Sequence, residues 1–417
     1  MNFNEAYDTA LQTLTAELEG TRGEVYLVRD LFGKFRVLLP NDLLESRDNV
    51  AAALADALGN YSHPASTACL PLADLPGIER SVSRLVHEAD DLRIHLVDRL
   101  LMGTEWTAAP GTTDGHPTRV TFYSMKGGVG RSTTVAVVAW HLARTGKKVL
   151  VFDLDLESPG VGSTLLPTDQ LPECGAVDWF VEDAVGNQSA VVENMVAPSP
   201  LALDGDGQVY VVPAFGKETG DYLPKLGRVY LERGGDGPEP WPSRLRRMVR
   251  ALEEHVNPDI VLLDSRTGLH DTSAALIMAM GAHTLMFAVD SRQTWTAYDY
   301  LLGHWAEHPQ IREFRERLWF VASMVNDHDR DDYLKAFRDR AHEHLSVLYD
   351  ADEDGEFSYS LEHEEAPHSP AERHVRWSKA LLAFDPTSSL DVDQVELAYA
   401  PFLRWFERVL FPAEVTS

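Results

Sequence analysis

Met125-Lys126-Gly127-Gly128-Val129-Gly130-Arg131-Ser132-Thr133 is the stretch on which the reading of this chain turns. It follows Val120–Ser124, a short β-branched and aromatic run, and it opens Thr133–Thr145, where apolar residues recur at helical spacing. Glycines let such a turn fold so that consecutive backbone N–H groups point inward, and the helix behind it adds the positive end of its dipole. A strand, a glycine loop and a helix in that order suit a polyphosphate.

Outward from the loop, strand and helix signals alternate. Further strands are expected at Lys148–Asp153, Val209–Val212, Ile260–Asp264, Thr284–Val289 and Leu318–Met324. Each is short and almost continuously apolar, the pattern of a strand buried on both faces. Helices are expected at Ser243–His255, Thr272–Met280, Thr294–His308 and Tyr333–Leu348. The alternation predicts an α/β fold, a mostly parallel sheet flanked by helices. No internal repeat interrupts it.

Strand, loop and helix together resemble the ParA/MinD-type deviant Walker A P-loop ATPases, whose loop reads Lys-Gly-Gly-x-Gly-Lys-Thr/Ser. The resemblance runs from about Arg119 to the end of the chain and implies a P-loop NTPase of the SIMIBI/ParA-like class. It also implies a slow, Mg²⁺-dependent ATPase in which two copies sandwich ATP. By this resemblance Lys126 is the signature lysine that reaches the partner copy's phosphates. Gly127, Gly128, Val129, Gly130, Arg131 and Ser132 form the phosphate cradle, with the Ser132 hydroxyl on Mg²⁺ and Thr133 near the α-phosphate. One departure stands out, because Arg131 occupies the place of the family's second lysine. A planar guanidinium fork does not replace a compact ammonium neutrally, so phosphate affinity can survive while turnover falls. The Lys-Gly-Gly-Val-Gly-Arg form resembles an Arg-variant branch among bacterial regulatory and conflict or defence-system ATPases.

The remaining parts follow in order. Val149-Leu-Val-Phe-Asp153-Leu-Asp155 resembles the family's Asp-x-Asp segment. There Asp155 would orient the attacking water and Asp153 would support the Mg²⁺ shell. Asp259-Ile-Val-Leu-Leu-Asp264 reads as a buried strand ending in a carboxylate, the pattern of a Walker B strand that holds Mg²⁺ through water, with Ser265–Gly268 as a γ-phosphate switch. Asn326, after the Leu318 strand, is the candidate for hydrogen bonding to adenine, with Pro367–Pro370 on the other side of the base.

The first 110 residues form a separate α+β unit in this reading, an adaptor with no catalytic constellation. Its elements are a helix over Ala6–Leu18, a hairpin of Val25–Val28 and Phe35–Leu39 around Gly33, helices at Val50–Leu58 and Ile78–Glu88, and a strand at Leu92–Val97. Residues 111–118, rich in Pro, Gly and Thr, are expected to link it to the ATPase domain at 119–417.

Composition bounds the rest. The chain has 417 residues, and 65 acidic against 37 basic side chains give a net charge of −28, a field that repels phosphate backbones and anionic lipid. Two cysteines without metal spacing, and no apolar leader at the start, place the protein in the cytoplasm. Asp350–Gly355 imitates half of a calcium loop, but Leu361 sits where the bidentate glutamate belongs. The histidine pairs His342/His344 and His363/His368 read as surface residues. Arg244, Arg246, Arg247 and Arg250 form a basic run that offers nucleic acid a foothold or merely offsets acidic surface. Phe402, Trp405, Phe406, Val409 and Leu410 recur at helical spacing and are expected to pack on the core rather than on a membrane. The leading expectation is therefore an ATP-driven homodimeric switch with a protein partner recruited through the N-terminal domain. The alternatives are a non-hydrolysing ATP-binding scaffold and a partition or positioning ATPase on DNA or membrane.

Overall fold

The apolar alternation of Val25, Leu27, Val37 and Leu39 builds a small sheet at the amino-terminal end. A computed structural model describes the chain except residues 79–82, 90, 101, 114, 203–205, 233–238, 350–371, 382–389 and 412–417. It divides into two units, Met1–Ala108 and Ala109–Ser417. In the first, β1 (Gly23–Arg29), β2 (Phe35–Leu39), β3 (Cys69–Pro71), β4 (Arg84–Ala89) and β5 (Leu92–Asp98) lie in the order β3-β2-β1-β5-β4. Helices Phe3–Glu17 and Arg47–Leu58 cover the face carrying Val25, Leu27, Val37 and Ile94. Gly33 supplies the positive φ that turns the β1–β2 hairpin, and Asp30 accepts from the Phe32 and Lys34 amides there.

The helix expected at Ile78–Glu88 is corrected. Arg84–Ala89 is β4, antiparallel to β5, with Arg93 Nε donating to Glu88 Oε1 at 2.8 Å across the pair. A short amphipathic run reads equally well at either period, and the neighbouring strand decides it.

In the second unit the predicted strands form one eight-stranded sheet. Its members are β6 (Thr118–Ser124), β7 (Lys148–Asp153), β8 (Ala197–Pro198), β9 (Gln208–Val212), β10 (Ile260–Thr267), β11 (His283–Ala288), β12 (Leu318–Val325) and β13 (His374–Arg376). Their order is β13-β12-β11-β6-β10-β7-β9-β8, parallel throughout except for the β8–β9 pair. The short β8 and β13 are edge strands that sequence pattern does not mark. Val149 and Val151 face helices Arg131–Arg144 and Val392–Leu410, whereas Leu150 and Phe152 face helices Ala176–Ala184 and Trp241–Val256. The sheet is thus buried on both sides, as its apolar runs require.

Two tethers fix the central strand. Arg119, at the start of β6, donates from Nε and Nη2 to both oxygens of Glu253 at 2.7 and 2.6 Å, a buried bidentate pair. Residues before β6, read from composition as linker, are packed into this unit. Gly111 N donates to Met278 O at 2.6 Å, and a Cβ on Gly281 would lie 1.8 Å from Thr112 O. The terminal helix spends its apolar face on the core, with Trp405 against Trp319 at a centroid distance of 5.4 Å and Phe402 and Phe406 buried. Among the described residues no helix is long and apolar enough to cross a membrane.

Candidate functional site

β6 sits between β10 and β11 while the chain continues from it to β7, so strand order reverses at β6. In open parallel sheets the crevice at such a reversal, beyond the strand carboxyl ends, is where ligands bind. The loop Met125–Gly130 leaves β6 there, and helix Arg131–Arg144 begins at its end. Gly128 and Gly130 take left-handed φ values of 75° and 78°, which L side chains rarely adopt. Gly127 and Gly128 are exposed, with open space where a Cβ would stand. Val129 is buried and anchors the loop in the core, and Thr134 Oγ1 donates to Gly130 O at 2.8 Å.

Four of the expected residues converge through hydrogen bonds. Arg131, only 7% exposed, donates from Nε to Asp264 Oδ1 at 2.8 Å and from Nη2 to Asp155 Oδ2 at 3.3 Å. Ser132 Oγ donates to Asp264 Oδ2 at 2.8 Å. Asp153 stands at the end of β7, opposite Asp264 in the β7–β10 register, and its Oδ2 accepts from the amides of Gly160 and Gly162 at 3.0 and 2.9 Å. Asp153 Oδ1 and Asp155 Oδ1 are buried without a partner.

Three buried carboxylates thus lie close together, and Arg131 bonds two of them. Burial, with Asp264 close by, pushes Asp153 up to about 7. Burial also raises Asp155 and Asp264, although Arg131 opposes the shift at both. The guanidinium itself is held above its usual value, because Asp264 and Asp155 outweigh its desolvation.

The other expected residues are not drawn into this cluster. Lys126 is exposed and has no hydrogen-bond or ion-pair partner among the described residues. Thr133 is half-buried in the first helical turn. Asn326 is exposed at the end of β12, where its Oδ1 accepts from the His328 amide at 3.3 Å. Met324, two residues earlier, takes a φ of 57°, and its sulfur lies 3.8 Å from where a Cβ on Gly130 would be. That contact places the end of β12 beside the loop. Pro367–Pro370, the Asp350–Leu361 pseudo-loop, His363 and His368 lie outside the described residues. His344 pairs with Asp299 and stacks on Trp295.

Sequence reading missed several participants. Gly160 and Gly162 orient Asp153, and Ser124 lies 3.4 Å from Arg131 Nη1. Arg266 in the expected switch turn pairs with Glu157 at 2.8 Å, joining that turn to the Asp-x-Asp segment. An unassigned acid two residues after Asp155 and an arginine inside Ser265–Gly268 were the available signals.

Two arginines of the basic run are engaged within the fold. Arg244 is fully buried, with Nε donating to Asp183 Oδ2 at 2.6 Å, and Arg247 pairs with both Asp183 and Glu239. Only Arg246 and Arg250 of the four remain exposed without a carboxylate partner.

Oxygen donors of this kind fit Mg²⁺, a hard cation that keeps much of its water. The Ser132 hydroxyl, Asp264 and the orphaned buried Oδ1 of Asp153 supply them. Among the described residues no group of three or more His, Cys, Asp or Glu side chains forms a ready-made cage for a metal ion.

The AAA domain family model matches residues 118–197, which span β6, the loop and the Asp-x-Asp segment. Among solved structures, the chain is similar to a ParA family ATPase from Chlorobium tepidum TLS at 13% identity and a TM-score of 0.40, covering 71% of this chain and 95% of that one. It is similar to the MinD cell division protein of Aquifex aeolicus at 14% identity and a TM-score of 0.43, covering 72% and 98%. A cobyrinic acid a,c-diamide synthase from Mycobacterium smegmatis, with bound ATP analog and magnesium, is similar at 17% identity and a TM-score of 0.38, covering 54% and 82%. No curated protein matches the chain in sequence.

Proposed function

We propose that the chain is a Mg²⁺-dependent, slowly hydrolysing ATP switch of the ParA/MinD type whose two copies close on each other when ATP is bound. The observation that carries this reading is the contrast within the loop. Arg131 and Ser132 are tied to acidic partners, while Lys126 stands exposed and unpartnered at the mouth of an open glycine turn. A lysine left free in that position is available to a phosphate outside its own loop. The loop amides and the amino terminus of helix Arg131–Arg144 hold the nucleotide's phosphates. Ser132 and Asp264, which are hydrogen-bonded to each other, would hold Mg²⁺ with support from Asp153, the register neighbour of Asp264. Bound Mg²⁺ would offset charge on the phosphate oxygens during phosphoryl transfer. Asp155 keeps one oxygen toward Arg131 and turns the other, unpartnered one to the attacking water.

Partner recruitment is assigned to the N-terminal unit, where Leu31 and Phe32 at the β1–β2 tip are 58% and 87% exposed. The controlled process belongs, in this reading, to a bacterial regulatory or defence system.

Light scattering on a sizing column tests the switch. A dimer that forms with Mg²⁺-ATP, fails with ADP and fails with Lys126→Ala is the expected result, and an oligomeric state indifferent to nucleotide overturns it. Tight ATP binding without phosphate release above background would identify the non-hydrolysing scaffold instead. A DNA-positioning role is favoured by one observation, a groove of about 600 Å³ in which Lys335 and Arg404 have no carboxylate partner among the described residues, while Arg330, Arg338 and Arg376 are paired to Asp331, Asp339 and Asp327. Loss of salt-dependent DNA retention in Lys335→Glu/Arg404→Glu is what that reading requires.

A further inference from the structure

Arg131 raises a question that the nucleotide reading does not answer. A residue expected to cradle phosphate donates to Asp264 and Asp155, the carboxylates that reading assigns to metal and water. Ser132 is engaged in the same way, through Asp264 Oδ2. Among the described residues the Arg131 side chain bonds to Asp264, Asp155 and Ser124. Gly127 and Gly128 meanwhile leave open space in the loop.

Electrostatics explains the arrangement. Asp153, Asp155 and Asp264 are all buried, at 1%, 7% and 1% exposure. Buried carboxylates need a cation or a proton, and among the described residues Arg131 is the guanidinium hydrogen-bonded to this cluster, with Arg266 acting on Asp155 only through its charge. The Arg131 guanidinium is itself buried and bridges two of them through its planar fork. The cluster keeps two buried oxygens unpaired, Asp153 Oδ1 and Asp155 Oδ1. A divalent cation and the guanidinium thus seek the same carboxylates, Asp264 and Asp155.

We infer that Arg131 is an exchangeable internal counter-ion, which occupies Asp264 and Asp155 in the nucleotide-free chain and must release them before a divalent cation is taken up there. This inference rests on the nucleotide-site reading for the destination of Arg131, but the competition at the carboxylates stands without it. Phosphates arriving in the loop give the displaced guanidinium a new bidentate partner, since guanidinium matches phosphate geometry as well as carboxylate. Cation uptake and phosphate binding become coupled through one side chain. The nucleotide-free protein accordingly ignores divalent cations, and the triphosphate brings its own in.

Mn²⁺ serves as the probe, by electron paramagnetic resonance titration of nucleotide-free protein, with thermal melting alongside. Wild type should take up no Mn²⁺ at the cluster and melt at the same temperature with and without it. Arg131→Gln keeps much of the side chain's length but removes the charge. It should melt lower, bind Mn²⁺ at least about tenfold more tightly than wild type, and regain stability when Mn²⁺ is added. Asp264→Asn in that background should abolish the new binding. If Arg131→Gln fails to fold, Arg131→Lys carries the test, because its shorter side chain ends in a point charge without the fork that spans Asp264 and Asp155, and Mn²⁺ affinity should rise above that of wild type. Equal Mn²⁺ uptake by wild type and the variants overturns the inference. Because no nucleotide is present, that failure is distinct from a failure of ATP to bind or dimerise the chain, which would leave the counter-ion result standing.

Discussion

Arg131 and Arg244 are both buried arginines on aspartates, in the same domain, and they meet those aspartates in opposite ways. Asp183 receives Arg244 Nε at 2.6 Å and Arg247 Nη1 at 2.6 Å, so both of its oxygens are satisfied. Arg244 spends its remaining donors on the carbonyls of Phe180, Val229 and Leu231. Burial alone would raise Asp183, but the hydrogen bonds from Arg247 and Arg244 hold it below the usual carboxylate range. Around Arg131 the ratio is reversed. Carboxylates outnumber the guanidinium, oxygens are orphaned, and every acid is shifted upward. A buried ion cluster that balances is a brace between helices, whereas one left with excess charge and unpaired oxygens is prepared for a ligand.

The largest expected effect falls on the brace. Asp183→Asn leaves a fully buried guanidinium uncompensated and should destabilise the domain by about 3–5 kcal/mol at pH 7, read from urea unfolding. Because the folded-state pKa of Asp183 lies below its unfolded value, the stabilisation is complete above about pH 4 and is lost as pH falls through the folded value. The gap between wild type and Asp183→Asn should therefore close under acid. A gap that stays constant down to pH 3 would show that Asp183 acts by packing rather than by charge, and the comparison with Arg131 would collapse.

In the loop cluster a parallel change should act with the opposite sign. Asp153→Asn retains an oxygen for the Gly160 and Gly162 amides while removing one of three mutually repelling carboxylates. It is expected to stabilise the nucleotide-free chain by about 1 kcal/mol and to weaken binding of Mg²⁺-nucleotide, measured by melting and by fluorescent-nucleotide titration. Stability gained together with affinity lost is the mark of a site that holds strain for its ligand. A variant that loses stability would place Asp153 with Asp183 among the braces.

Much of this was legible before any coordinates. The apolar runs at Lys148–Asp153 and Leu318–Met324 became β7 and β12 nearly residue for residue, because strands buried on both faces carry an unbroken signal. The candidate cluster was legible too, since glycine spacing and strand-ending aspartates are local features. Pairing partners were not. Nothing in the order of residues says that Arg131 will turn to Asp264, 133 positions away. Nor does it say that Arg84–Ala89 will find β5 before it can form a helix. Such outcomes depend on what tertiary structure brings alongside, and short edge strands such as β8 and β13 carry too few residues to announce themselves.

The run Arg244, Arg246, Arg247 and Arg250 gives the smallest and most graded test, since sequence presents four equivalent arginines and the helix makes them unequal. Successive helical residues turn by about 100°. Arg244 therefore points into the core, Arg247 lies along the boundary at 33% side-chain exposure, and Arg246 and Arg250 face solvent. Arg247→Ala should cost about 1 kcal/mol, because it removes bonds to Asp183 and Glu239 but leaves Arg244 to neutralise the buried carboxylate. Arg246→Ala loses only a contact with Ser243 and should fall within about 0.5 kcal/mol of wild type. Urea midpoints for the two variants settle the order. An Arg246→Ala effect as large as that of Arg247→Ala would mean that the exposed arginines carry structural load, and the line drawn between brace and surface along this helix would have to move.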